Sequence, residues 1–97
     1  MRPYRFMIRS GCRGRYFTIA FDLFVQVFLS ERSGRFSLVL VSPSGRLYGR
    51  DQEQGLWHRH PFGDADQHES TPEGMSSQPI IQFLTEVEEI LVENELI

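Results

Sequence analysis

The first fifty residues alternate between apolar and polar positions in short runs, a pattern typical of β-strands. Tyr4, Phe6 and Ile8 alternate with Arg5, Met7 and Arg9, and runs 16–21, 24–29 and 36–41 are rich in aromatic and β-branched residues. Glycine-bearing turns precede the first and third of these runs, and Asp22 and Leu23 break or bulge the strand between the first two. The sequence 42–45 has the Pro and Gly positions of a tight hairpin turn. Short local connections favour antiparallel pairing. We predict a meander of about four to five strands over residues 3–50.

The end of the chain has the period of an α-helix, with glutamates mostly off the apolar face. We predict a helix over residues 78–94 that begins near Ser76 or Ser77 as N-cap, with Pro79 in its first turn. This face most simply packs on the sheet, and a helix seam between two chains is the alternative. The 97 residues therefore form one α+β domain. The apolar stripe comprises Ile80, Phe83, Leu84, Val87, Ile90 and Leu91.

Between the last predicted strand and the helix, the periodicity disappears from residue 51 to residue 77. This segment is polar, contains glycines and prolines, and holds all three histidines. A loop of such length in a compact domain is more often functional than not. We therefore predict a His-rich loop here and place the candidate chemistry in it.

Charge is distributed unevenly, and every basic residue is an arginine. Residues 1–50 carry nine arginines and two acids, whereas residues 51–97 carry one arginine and eleven acids. One explanation is an acidic helix that lies against a basic sheet. The other is an arginine-bearing face that meets RNA or an acidic partner.

The chain has a single cysteine, Cys12, which excludes an intrachain disulfide and favours a reducing, cytoplasmic environment. No run approaches the roughly 18 apolar residues of a membrane span. The N-terminus lacks the continuous apolar segment of a signal peptide. We expect a cytoplasmic protein with no membrane partner, and the modest core of so short a chain favours a homodimer as a further expectation.

The three histidines lie within eleven residues, and acid–base catalysis is our leading interpretation. In an extended segment His58 and His60 point the same way and Arg59 the opposite way. Two imidazoles can act as proton donor and acceptor, and an arginine can stabilise a pentavalent phosphate. Cleavage of RNA by its own 2′-hydroxyl needs no metal, so this hypothesis implies a metal-independent ribonuclease and no cofactor.

Two other interpretations of the histidines stay open. His58, His60 and His68 can serve as three metal ligands with an acid or water as the fourth, although their spacing fits no standard zinc pattern. Alternatively, the histidines cap or bridge backbone in a surface loop. Beside them, Arg50 is a candidate for phosphate binding, and Trp57 either stacks on a nucleobase or anchors the loop to the core.

Residues 48–60 resemble the C-terminal signature of TumE-type toxins of bacterial toxin–antitoxin modules. In that family a strand leads into an Asp-Asn step, a short Gly-bearing loop, a His-Arg-His or similar cluster and an amphipathic terminal helix. Asp51, Gly55 and the His-Arg-His of residues 58–60 match this order. Gln52 stands where Asn is expected, and the insertion 61–75 is longer than in the family.

The resemblance covers the chain from Arg46 onward. It implies a small cytoplasmic protein that inhibits growth and has an antitoxin partner, and it adds Asp51 to the candidate catalytic residues. The leading hypothesis is thus a toxin-like, RNA-directed domain in which His58 and His60 form an acid–base pair. Arg59 or Arg50 would contact phosphate. A non-enzymatic protein-binding module or a small metal-stabilised domain are the alternatives.

Overall fold

A computed structural model describes the backbone of residues 4–9, 12–20 and 22–96, and the side chains of residues 19 and 22–96. Within these ranges, seven antiparallel strands form one sheet in which each strand pairs with the next along the chain. One helix follows the sheet, which confirms the predicted α+β meander with a C-terminal helix. The elements are β1 (Tyr4–Arg9), β2 (Cys12–Ala20), β3 (Leu23–Ser30), β4 (Phe36–Ser42), β5 (Gly45–Glu53), β6 (Leu56–His60), β7 (Glu69–Ser70) and α1 (Pro79–Glu93).

The prediction of an irregular loop over residues 51–77 is wrong in its first part, because residues 51–60 belong to a β-hairpin. Strand β5 continues to Glu53, the chain reverses in two residues, and β6 begins at Leu56. The reversal is made by Gln54 and Gly55, whose φ angles of 53° and 79° are both positive. Two such residues form the turn type that matches the twist of paired strands. Only residues 61–78 remain largely irregular, and they include the short strand β7.

Helix α1 covers the middle of the sheet and closes the core. Its residues Phe83, Val87 and Leu91 are buried, and the Phe83 ring stacks on Tyr48 of β5 with centroids 5.5 Å apart. Most of the predicted stripe therefore faces the sheet, while Ile80 is left exposed. The buried apolar residues are Val25, Val27, Leu38, Leu40, Tyr48, Phe83, Val87 and Leu91.

The start of α1 differs in detail from the prediction. Gln78 is the N-cap, and its side chain makes no capping hydrogen bond. Ser76 instead donates its backbone N–H to the Gln82 side chain, while its own hydroxyl accepts from the Gln78 N–H. Within the described ranges no helix has the length and apolar character needed to cross a bilayer.

A buried ion pair fastens α1 to β5. Arg50 is only 3% exposed, and its guanidinium donates to both carboxylate oxygens of Glu86 at 3.2 and 3.1 Å. The Tyr48 hydroxyl and the Gln82 amide donate to the same carboxylate. Part of the charge asymmetry along the chain is thus explained by an acidic residue of the helix, Glu86, that pairs with a basic residue of the sheet, Arg50.

Replacing Glu86 with Gln should destabilise the fold strongly, because Arg50 would stay buried without a counter-charge. Breaking a buried pair on one side costs about 3 kcal/mol or more, which urea unfolding can measure. The matched control is Glu88→Gln on the exposed side of the same helix, where we expect a change below about 0.5 kcal/mol. Equally small losses in both variants would contradict this role of the Arg50–Glu86 pair.

Tyr48 should make stability depend on pH in the alkaline range. Burial first, and then the hydrogen bond to Glu86 and its charge, raise the pKa of Tyr48 well above its ordinary value. The unfolded chain therefore loses this proton at lower pH than the folded chain, so the contribution of neutral Tyr48 is complete below about pH 10 and falls above it.

The matching variant is Tyr48→Phe, which removes the titrating group and keeps the ring. Near neutral pH the wild type should be more stable by about 1 kcal/mol, the usual net contribution of a hydrogen bond. This difference in unfolding free energy should shrink between about pH 10 and about pH 12. A difference that stays constant over this interval would contradict the raised pKa.

Candidate functional site

The β5–β6 hairpin brings the candidate acid and two histidines together. Asp51 pairs with His58 across the hairpin, and Gly49 pairs with His60. Because side chains alternate along a strand, these residues share one face of the sheet and Arg50 lies on the opposite, helix-covered face. The two-residue turn at 54–55 sets this register, since a shift by one residue would move every side chain to the other face.

The segment after β6 adds the third histidine. Residues 61–67 make two successive turns, in which Asp64 N–H donates to Pro61 and Gln67 N–H donates to Asp64. Strand β7 then pairs with β6, so the chain returns beside His58. His68 lies just before β7, and its ring centroid is 4.3 Å from that of His58 and 4.8 Å from that of His60.

All three imidazoles approach the Asp51 carboxylate without reaching hydrogen-bonding distance. Oδ1 is 3.6 Å from Nε2 of His68 and 3.9 Å from Nδ1 of His58. Oδ2 is 3.8 Å from Nε2 of His60. A contact of this length is too long for a hydrogen bond. His58 and His60 share a face, as their spacing in the sequence predicts, and the structure brings His68 to the same point.

The carboxylate at the centre of this cluster is buried. Asp51 is 5% exposed, and among the described residues its Oδ1 finds no hydrogen-bond partner. The same is true of Nδ1 of His58. A buried charged group without a compensating partner is costly. Arg35 supplies part of the compensation, because its Nη2 lies 3.5 Å from Oδ2 of Asp51.

The backbone holds the ring of His60 in one orientation. Its Nδ1 is 3.1 Å from the carbonyl oxygen of Ala65. Since a carbonyl can only accept, Nδ1 must carry the proton and donate it. In the neutral ring, Nε2 is then the nitrogen with the free lone pair, and it lies on the side of Asp51. Histidines that bind metals are commonly held in this way, with the second ring nitrogen donating to a carbonyl or carboxylate.

Three residues can offer one ligand atom each to a common metal ion. The atoms of Asp51, His60 and His68 all lie within 4.8 Å of one another. From the sequence, His58, His60 and His68 are the expected ligands, with an acid or water as the fourth, whereas the geometry groups the acid with only two of these histidines. His58 borders the group through its contact with Asp51.

Three other candidate residues lie apart from the cluster. Arg59 faces the opposite side of β6, as alternation predicts, and pairs with Glu69 at 3.4 Å. Arg50, predicted to bind phosphate, is buried against α1. Trp57 is partly buried against the core, with its ring 5.9 Å from that of Phe36. This placement favours the core anchor, one of the two roles considered for Trp57.

Arg35 is the residue that sequence reasoning did not single out. It precedes β4, whose Ser37 pairs with Asp51 of β5. Its position beside the carboxylate thus depends on the register between β4 and β5, which pair as the two strands of a hairpin. In the sequence it is one of nine arginines in the first half of the chain, and nothing in its local context distinguishes it.

Comparison with known proteins identifies no relative of this chain. No family model matches the chain, and neither the curated proteins nor the solved structures give a match. The likeness to TumE-type toxins therefore stays a prediction that depends on a short motif.

Proposed function

We propose that this chain binds a divalent transition-metal ion, with zinc as the best-fitting example, through Asp51, His60 and His68. The observation that carries the proposal is the spacing of the ligand atoms. Two ligands that each lie about 2.0–2.1 Å from a tetrahedral zinc are about 3.4 Å apart. The carboxylate oxygens lie 3.6 Å and 3.8 Å from the two imidazole nitrogens, one oxygen near each nitrogen. The three ligand atoms lie within 4.8 Å of one another, so binding an ion requires these side chains to draw together by roughly 1 Å.

Direct ion pairing explains the same spacing less well. A protonated imidazole that donates to a carboxylate approaches to about 2.7–2.9 Å. Each contact between Asp51 and a histidine is nearly 1 Å longer than this. A metal ion would satisfy Oδ1 of Asp51 and supply positive charge to the buried carboxylate.

The ligand set supports a reactive metal rather than a purely structural one. Zinc sites that only stabilise a fold usually have four protein ligands, whereas catalytic sites have three and leave a position for water or substrate. His68 is 47% exposed at its side chain, so this side of the centre is open to solvent. Bound zinc would lower the pKa of water towards neutrality, and His58, which borders the ligand group, would be placed to accept the proton of that water. Metal-assisted hydrolysis is the activity that this arrangement supports best.

Zinc binding can be measured by native mass spectrometry and titration calorimetry on the full chain. We expect one zinc per chain, with binding weakened by more than about 100-fold in Asp51→Asn, His60→Ala and His68→Ala, since even outer partners of metal ligands contribute about 10- to 100-fold. Because His68 is half exposed, its replacement should leave the fold intact, as circular dichroism will verify.

Two controls separate this centre from other zinc-binding groups. Cys12→Ser removes the one thiol of the chain, and Arg59→Gln changes the opposite face of β6. Both should bind zinc as the wild type does. Unchanged affinity in His68→Ala, or a loss confined to Cys12→Ser, would overturn the proposal.

Metal-free cleavage of RNA is the second candidate function. It is favoured by the position of His58 and His60 on one face, with Asp51 between their ring nitrogens and Arg35 beside the carboxylate. Arg35 takes the phosphate-binding role that the sequence analysis gave to Arg59 or Arg50. The arginine-rich first half of the chain suits RNA or an acidic antitoxin. Under this proposal the chain acts as a cytoplasmic toxin.

The two candidates differ in their response to a chelator. Growth inhibition on expression, and cleavage of a single-stranded RNA in vitro, should both disappear in a variant with His58→Ala and His60→Ala, while Arg59→Gln keeps them. Cleavage that survives exhaustive chelation supports the metal-free mechanism, and cleavage that is lost on chelation and restored by zinc supports the metal centre. Full activity of the double variant would eliminate the toxin-like mechanism.

A further inference from the structure

We infer that the metal centre binds an oxyanion of the phosphate class, held between the metal ion and the guanidinium of Arg35. This inference rests on the proposed metal binding and goes beyond it, because it assigns the chemical class of the ligand. It depends on three features of the cluster: the place of Arg35, the balance of charge and the direction from which the centre is open.

Arg35 is held so that its guanidinium reaches the cluster. Its backbone N–H donates to the Ser33 hydroxyl at 3.3 Å, and its carbonyl accepts from the Ser30 N–H at 2.9 Å. The side chain then places Nη2 3.5 Å from Oδ2 of Asp51. A guanidinium carries five N–H donors in a rigid fork that fits phosphate oxygens. The contact with Asp51 involves one nitrogen, and the side chain is 48% exposed.

The charge of the loaded centre favours a dianion. A divalent ion and Arg35 together bring three positive charges, and Asp51 supplies one negative charge. His60 is neutral when Nε2 is a ligand and Nδ1 donates to Ala65. Two positive charges therefore remain. A phosphate monoester or inorganic phosphate carries about −1.5 to −2 near pH 7, which matches this excess better than a carboxylate with a single charge.

The open side of the centre lies where such a ligand would need to enter. Asp51 and His60 are largely buried at their side chains, whereas Arg35 and His68 are each about half exposed. Both half-exposed side chains contact the Asp51 carboxylate, Arg35 at Oδ2 and His68 at Oδ1, so solvent reaches two neighbours of this carboxylate. Bridging of a metal ion and an arginine is a common way to hold and polarise a phosphoryl group.

The test uses wild type, Arg35→Gln and Arg59→Gln, each first loaded with one zinc and freed of excess metal. Arg59 is the matched control, because it is a partly exposed arginine that forms an ion pair on the opposite face of the sheet. Calorimetry then measures the affinity for inorganic phosphate, and a parallel titration uses acetate. We expect Arg35→Gln to weaken phosphate binding by about tenfold or more, the usual effect of one hydrogen bond to a charged group. Arg59→Gln should match the wild type, and acetate should bind more weakly than phosphate.

The outcomes separate the two proposals. If zinc binds but Arg35→Gln and wild type bind phosphate equally, the oxyanion inference is wrong and the metal centre stands. Acetate that binds as tightly as phosphate would overturn the assignment to the phosphate class. If the wild type takes up no zinc, the metal centre and the inference that rests on it both fail.

Discussion

The carboxylate of Asp51 is buried on the face of the sheet opposite the helix, and the arrangement of the site follows from this burial. A charge removed from water needs compensation from nearby groups. Here the nearby groups are three imidazoles and one guanidinium, which come from the residue before β4, from β6 and from the segment before β7. None of the imidazoles is close enough to donate to Asp51 directly. The spacing around this carboxylate is what supports a metal ion as its partner.

Strand β5 carries two buried charged residues at consecutive positions, one on each face of the sheet. Arg50 points towards α1 and pairs with Glu86, and Asp51 points to the histidines. The helix-side pair therefore fixes the strand that presents the carboxylate. The Arg50–Glu86 pair and the Tyr48 hydroxyl share one acceptor. The packing of the helix and the position of the site are therefore linked through three residues of one strand, Tyr48, Arg50 and Asp51.

Much of the fold could be predicted from the sequence, because the meander and the helix are encoded by local periodicity. The alternation in β1 and the turn at residues 42–45 are short-range signals. The β5–β6 hairpin was missed because its turn is Gln54-Gly55. An Asn or Asp before the glycine is the usual sign of such a turn, since a glutamine with positive φ is uncommon. Without that turn, residues 56–60 were not recognised as a strand.

The candidate site was predictable only in part for the same reason. The spacing of His58 and His60 indicates a shared face once the segment is extended, and it also places Arg59 on the opposite face. The approach of Arg35 and His68 to Asp51 depends on strand register and on the return of β7, and these are tertiary features. The sequence therefore indicates the segment that contains most of the cluster, but it does not indicate every residue that forms the cluster.

The position of zinc in crystals of the full chain tests the central claim most directly. Anomalous scattering at the zinc absorption edge would locate the ion independently of any activity. We expect one peak about 2.0–2.2 Å from an oxygen of Asp51 and from Nε2 of both His60 and His68. A peak bound instead at Cys12 or at surface carboxylates, with the Asp51 cluster unchanged and without metal, would contradict it.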